Sequence, residues 1–254
     1  MSALNGKHAL VTGAGRGIGA AIAQSLSGEG ASVSLMVRNP DGGEKVARSL
    51  RGAHAVVIAD ITDRSAVQDA CRQAAEQLGP VDILVNNAGS TESAPFLASS
   101  PSLFERMIAE HLLGAVYATQ AVLPAMIERK RGHVVNIAST AGLRGEAYVT
   151  AYVAAKHALV GLTKALAVEV AKHGISVNAV CPGYTDTDLV RDAVRRIAAK
   201  TGRGDDDALH SILARAGQAR LVTVDEVAAA VLSLCTAPAG AASGQTVVVD
   251  GTAP

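Results

Sequence analysis

The chain has 254 residues, 49% hydrophobic and 18% charged, enough apolar material for a sizeable core and too little charge for a disordered chain. Lysine plus arginine and aspartate plus glutamate balance at 23 each, and aromatic residues make up 2% with no tryptophan, so neither a basic face nor a base-stacking platform for nucleic acid is expected. Cys71, Cys181 and Cys235 stand far apart without a CxxC pair, which argues against a disulfide framework or a metal knuckle and for reduced thiols in a cytoplasmic protein.

From the amino terminus, MSALNGKHALVTG runs into the strand-like His8–Val11 without a signal-peptide core, and no later segment reaches the ~18 consecutive apolar residues of a membrane span. That strand ends in Thr12-Gly13-Ala14-Gly15-Arg16-Gly17-Ile18-Gly19 and opens a helix over Ile18–Glu29. Glycines permit a tight turn and close backbone approach, and a helix N-terminus offers unpaired N–H groups and positive dipole to a pyrophosphate. Gly13, Gly15, Arg16, Gly17, Ile18 and Gly19 therefore read as a dinucleotide-binding turn in its required strand–turn–helix setting. The next strand, Ser32–Val37, is followed by Arg38. A carboxylate at this strand end would bind a ribose 2′-hydroxyl and repel a 2′-phosphate. Val37 supplies none, whereas Arg38 and Arg16 can pair with the phosphate, so NADP(H) is expected in preference to NAD(H). The plain alternative for either arginine is a surface charge.

A helix over Gly43–Leu50 leads to the strand Ala55–Ile58 and to Asp60-Ile61-Thr62-Asp63. Asp60, with Ile61 beside it, can receive the adenine amino group, and Thr62 or Asp63 can cap the helix Arg64–Leu78. The strand Ile83–Val85 ends in Asn86-Asn87-Ala88-Gly89, where Asn87, Ala88 and Gly89 bring backbone near the cofactor and Asn side chains tie adjacent strands. One helix over Leu103–Arg129 then precedes the strand His133–Ile137, a helix over Ala151–His173, the strand Ser176–Val180, a helix over Asp225–Cys235 and the strand Thr246–Val249. Consecutive apolar residues suit parallel strands covered on both faces, and the β-α alternation has right-handed crossovers as its simplest solution. The fold expected over 1–254 is a single α/β domain, a Rossmann-type doubly wound parallel sheet of about seven strands with helices on both faces. Only the polar, helical stretch at about 184–221 breaks the rhythm, which marks it as a substrate lid insertion or, more plainly, a solvated excursion.

The chemistry concentrates in Ser139, Tyr152 and Lys156. A spacing of four on a helix puts Tyr152 and Lys156 on one face, and a neighbouring ammonium is expected to lower the tyrosine pKa from its usual value near 10. Ser139, thirteen residues before Tyr152, can donate a hydrogen bond to a carbonyl oxygen as charge develops on it.

Taken together, TGAGRGIG, the Asp60 turn, NNAG, Ser139, YVAAK at Tyr152–Lys156 and CPGYTDT at Cys181–Thr187 resemble the short-chain dehydrogenase/reductase family over nearly the whole length. The overall likeness runs to 3-ketoacyl thioester reductases and 3-hydroxyacyl-CoA dehydrogenases. The resemblance implies an NAD(P)-dependent oxidoreductase that interconverts a ketone and a secondary alcohol, with Tyr152 protonating the carbonyl and Lys156 also holding the nicotinamide ribose. It implies that Pro182, Gly183, Thr185 and Thr187 border the carboxamide, that the substrate is a small molecule or acyl thioester, and that the chain is a homotetramer. Thr140, Leu143, Arg144 and Tyr148 are expected to line the pocket with the insertion. Arg129-Lys130-Arg131 and Lys172 fall where carrier-protein-dependent relatives place basic docking residues, or form a solvated cluster.

One catalytic position departs from the family pattern: His111-Leu112-Leu113-Gly114 stands where N-L-x-G is usual. His111 is a structural helix residue or a catalytic one, and both readings are kept. The competing function is a nucleotide-binding regulatory or scaffold protein whose catalysis is lost through His111.

Overall fold

The computed structural model describes residues 2–202, 204–238 and 242–252. Its strands are β1 (His8–Thr12), β2 (Ser32–Val37), β3 (His54–Ile58), β4 (Ile83–Asn86), β5 (Gly132–Ile137), β6 (Ile175–Pro182) and β7 (Thr246–Val249). All pair in parallel in one sheet, in the order β3-β2-β1-β4-β5-β6-β7. The helices are α1 (Gly17–Gly28), α2 (Pro40–Ala47), α3 (Arg64–Leu78), α4 (Pro101–Ile108), α5 (Gly114–Arg129), α6 (Thr150–Val170), α7 (Asp188–Thr201), α8 (Asp205–Ala216) and α9 (Val224–Thr236).

Side chains of a strand alternate between its faces, so a strand buried on both sides must be apolar throughout. Ala9 and Val11, Val33 and Leu35, Ile83 and Val85, and Val135 and Ile137 all face one side, where Ile22 and Leu26 of α1, Val46 of α2 and Val227 and Val231 of α9 cover them. Leu10, Met36, Leu84 and Val134 face the other, under Val67 and Ala70 of α3, Val122 and Met126 of α5 and Val170 of α6. From β1 the chain winds outward through β2 and β3, then returns to β4 beside β1 and winds the other way. This reversal opens a crevice at the carboxyl ends of β1 and β4, the place where such sheets bind ligands.

The sequence expectation of one helix over Leu103–Arg129 is corrected. Ser100 caps α4, its hydroxyl accepting from Leu103 N–H at 3.3 Å, but after Ile108 the chain makes a π turn over Ala109–Leu113 before α5 begins. An apolar periodicity survives one extra residue in a turn, so the wider turn leaves no mark in the pattern. The stretch at 184–221 is also more ordered than a bare loop. Val190, Val194 and Ala198 of α7 pack on Ala208 and Ile212 of α8 in a small core of their own.

Candidate active site

The glycine turn is held from two sides. Thr12 Oγ1 accepts from the backbone N–H of Asn87 at 2.9 Å and of Ala88 at 3.0 Å, and Asn87 Nδ2 donates to the carbonyls of Thr12 at 2.9 Å and Gly13 at 3.2 Å. A Cβ on Gly19 would lie 2.4 Å from the Gly13 carbonyl oxygen and 2.5 Å from Asn87 Nδ2, so the turn closes only with glycine there. Arg16, the residue before α1, makes no capping hydrogen bond with its side chain, which leaves the first amides of α1 pointing into the crevice. These are the donors a dinucleotide pyrophosphate needs, and the cradle fits that group.

At the adenine side, Asp60 Oδ1 accepts from Thr62 N–H at 2.9 Å and Thr62 Oγ1 at 2.7 Å, which holds its carboxyl below the usual value. Asp63 is the cap of α3, accepting from Ser65 and Ala66 N–H. Arg38 and Arg16 are exposed, and among the described residues neither forms an ion pair. Across the crevice, a Cβ on Gly17 would lie 3.5 Å from Thr187 Cγ2, so the segment from Pro182 and Gly183 through Thr185 and Thr187 leans over the glycine turn. Thr185 Oγ1 donates to the Gly183 carbonyl at 3.0 Å.

Ser139 lies just past β5 and Tyr152 and Lys156 lie one turn apart on α6. Lys156 is 4% exposed; its Nζ donates to the Ile137 carbonyl at 2.7 Å and stands 5.5 Å from the centre of the Tyr152 ring. Burial pushes Tyr152 up to about 12, opposed by a hydrogen bond from Ser139, and burial pulls Lys156 down to about 7. The expectation of a lowered tyrosine pKa is therefore corrected for the bare chain. Desolvation outweighs the hydrogen bond from Ser139.

His111 sits on the π turn with its ring 5.1 Å from that of Tyr152, edge to face at 86°. Its Nε2–H donates to the Ser90 carbonyl at 2.7 Å, which leaves Nδ1 unprotonated, buried and without a protein partner. Burial, then the Lys156 charge, lower its pKa to about 3. A Cβ on Gly89 would lie 2.1 Å from His111 Cε1, so the ring occupies the space a side chain there would need. Beside it a cavity of about 10 Å³ is bordered by Thr12, Asn86, Glu110, His111 and Lys156.

The tie expected of the Asn86-Asn87 pair reaches residues that the sequence reading passed over. Asn86 Nδ2 donates to Asn136 Oδ1 at 2.8 Å and Asn136 Nδ2 to Thr163 Oγ1 at 2.8 Å, which locks β4, β5 and α6 together beneath the site. The signal for Asn136 was a polar residue inside an apolar strand. Tyr184, right after β6, donates to Glu146 Oε1 in the loop after β5. Arg144 of that loop donates to the Ala216 carbonyl, and buried Gln218 bonds both backbone groups of Tyr184, so the 184–221 segment is fastened over the carboxyl ends of β5 and β6. Leu143 and Tyr148 are exposed at this rim. By contrast Arg129 and Arg131 pair with Asp82 at 3.5 and 3.2 Å at the amino edge of the sheet, away from Ser139. No helix among the described residues is long and apolar enough to cross a membrane.

The short chain dehydrogenase family model matches residues 7–198, and the chain belongs to that family. It is 36% identical over 253 residues to D-beta-hydroxybutyrate dehydrogenase of Cupriavidus necator, covering 98% of each chain. It is 34% identical over 246 residues to the 3-oxoacyl-[acyl-carrier-protein] reductase of Escherichia coli K12, covering 97% of this chain and 96% of that one. The crystal structure of levodione reductase superimposes with a TM-score of 0.91 at 30% identity, covering 98% of this chain and 97% of that one. The chain is thus an NAD(P)-dependent oxidoreductase that interconverts a ketone and a secondary alcohol.

Proposed function

We propose that the chain reduces the ketone of a 3-oxoacyl thioester, or a similar small ketone, to the 3-hydroxy product, with Tyr152 as general acid and, in reverse, general base. The observation that carries this reading is Lys156 Nζ 5.5 Å from the Tyr152 ring centre on a helix that also faces Ser139. Burial keeps the Tyr152 phenol protonated at neutral pH, the form that gives a proton to a carbonyl oxygen. Ser139 donates a hydrogen bond to that oxygen as charge builds on it, and the Lys156 ammonium steadies the phenolate left behind. When bound, the nicotinamide dinucleotide supplies the hydride.

The residues that would hold it are those of the crevice. Gly13, Gly15, Gly17, Ile18 and Gly19 with the α1 amides take the pyrophosphate, Asp60 and Ile61 the adenine, and Asn87, Ala88 and Gly89 run beside the ribose. Lys156 takes the nicotinamide ribose hydroxyls; Pro182, Gly183, Thr185 and Thr187 border the carboxamide. Arg38 and Arg16 favour NADP(H), the 184–221 segment is the substrate lid of a single domain, and the chain works in the cytoplasm as a homotetramer. Arg129, Lys130, Arg131 and Lys172 would serve carrier-protein docking, with Arg129 and Arg131 also paired to Asp82. The scaffold alternative has no observation in its favour.

The test is Tyr152→Phe, assayed with reduced cofactor against a panel of 3-ketoacyl thioesters and cyclic ketones. Turnover should vanish while cofactor affinity, measured by fluorescence titration, stays near wild type. Retention of more than about a hundredth of the wild-type kcat would exceed what loss of an acid/base allows and would sink the assignment.

A further inference from the structure

Two loops from different strands bring a carboxylate and a tyrosine hydroxyl together just before the helix that carries Tyr152. Glu146 follows β5 and Tyr184 follows β6, both half-buried, and the Tyr184 hydroxyl donates to Glu146 Oε1. After burial, the Glu146 charge is one of the causes that raise Tyr152, and Tyr152 in turn acts on Tyr184, so the three groups share one end of the cleft. Arg144, whose charge also reaches Tyr184, turns its guanidinium to the Ala216 carbonyl, and among the described residues Glu146 forms no ion pair. Of its two oxygens, only Oε1 is taken by a protein donor there.

A negative charge at the half-buried rim of a site discriminates by repulsion, because bringing a second carboxylate against it is unfavourable. The two relatives above differ on this point, since a hydroxybutyrate is a free acid whereas a carrier-bound oxoacyl group ends in an uncharged thioester. We infer that Glu146 makes this cleft a filter against free acids, so that the substrate carries an uncharged ester, thioester or hydrogen-bond donor where a 3-oxo acid carries its carboxylate. The inference rests on the Tyr152 reading and narrows it to uncharged ketones.

The experiment compares acetoacetate with ethyl acetoacetate and the acetoacetyl thioester of N-acetylcysteamine, each with NADPH and NADH, by kcat/KM. Wild type should prefer the uncharged pair by about a hundredfold, which corresponds to two tenfold steps of discrimination. Glu146→Gln should shrink that ratio at least about tenfold, chiefly through the KM of the acid, and Glu146→Lys should shrink it further. Glu146→Asp and Tyr184→Phe keep the charge and should keep the preference. A ratio unmoved in both Glu146→Gln and Glu146→Lys, or a wild type that reduces acetoacetate as well as its ester, would overturn the filter. Failure of wild type on every ketone would instead sink the Tyr152 reading and the filter with it.

Discussion

Arg38 stands exposed at the carboxyl end of β2, where the choice between a ribose 2′-hydroxyl and a 2′-phosphate is made. Its charge reaches Asp60, whose carboxyl it helps hold low after the two Thr62 hydrogen bonds have done most of that work. A guanidinium in this place pairs with a phosphate through charge-assisted hydrogen bonds, each worth roughly 1.5–3 kcal/mol. Arg38→Asp should raise the KM for NADPH by about tenfold or more and swing the preference toward NADH, read as the ratio of kcat/KM for the two cofactors. A wild type that prefers NADH would refute the assignment. Glu146 shows the reverse situation at the same scale. A sequence reading placed Thr140, Leu143, Arg144 and Tyr148 in the pocket and passed over Glu146, because its partner Tyr184 stands 38 positions later. Glu146 meets that distant partner in a loop with an unusual backbone at Tyr148, φ +69°, and a local pattern carries neither.

Between α4 and α5, the π turn over Ala109–Leu113 carries His111 into the wall of the crevice. The ring is tied as a donor to the Ser90 carbonyl and packed on Tyr152, and burial lowers its pKa to about 3, which favours the structural reading of His111. The neighbouring cavity has room for about one water, and Lys156 and Glu110 both border it. Ketone reduction should fall as pH rises through about 7, where Lys156 loses its proton. His111→Asn should leave that limb in place, with kcat within a few-fold; a limb that moves or disappears in its pH–rate profile would return the proton to the ring. The π turn itself was invisible in the sequence, which otherwise marked every strand of the sheet to within two residues at either end. Strands were readable because double burial demands unbroken apolar runs, and the glycine turn because close approach excludes side chains. A one-residue widening of a helical turn changes neither.

At the scale of the whole fold, three histidines among the described residues have their pKa lowered, first of all by burial: His8 and His133 at the amino edge of the sheet and His111 at the carboxyl edge. An unfolded chain protonates a histidine near 6.5, whereas the folded chain protonates His111 only near 3, so between those values the unfolded state binds more protons. The fold should therefore lose stability as pH drops below about 6.5, by up to about 1.4 kcal/mol per pH unit for each histidine kept neutral. Thermal midpoints recorded from pH 7 to 4 test this, and a flat curve between 6.5 and 5 would contradict it. His111→Asn should make the acid side shallower. The strand order also governs how the chain can come into being. β1 is central in the sheet yet first to be synthesised, and Ala9 must wait for Ile83 before its second edge is covered. Ribosomes release β1, β2 and β3 with an apolar ribbon still bare on one side, so until β4 follows the nascent chain presents the kind of unpaired edge that invites aggregation and chaperone capture.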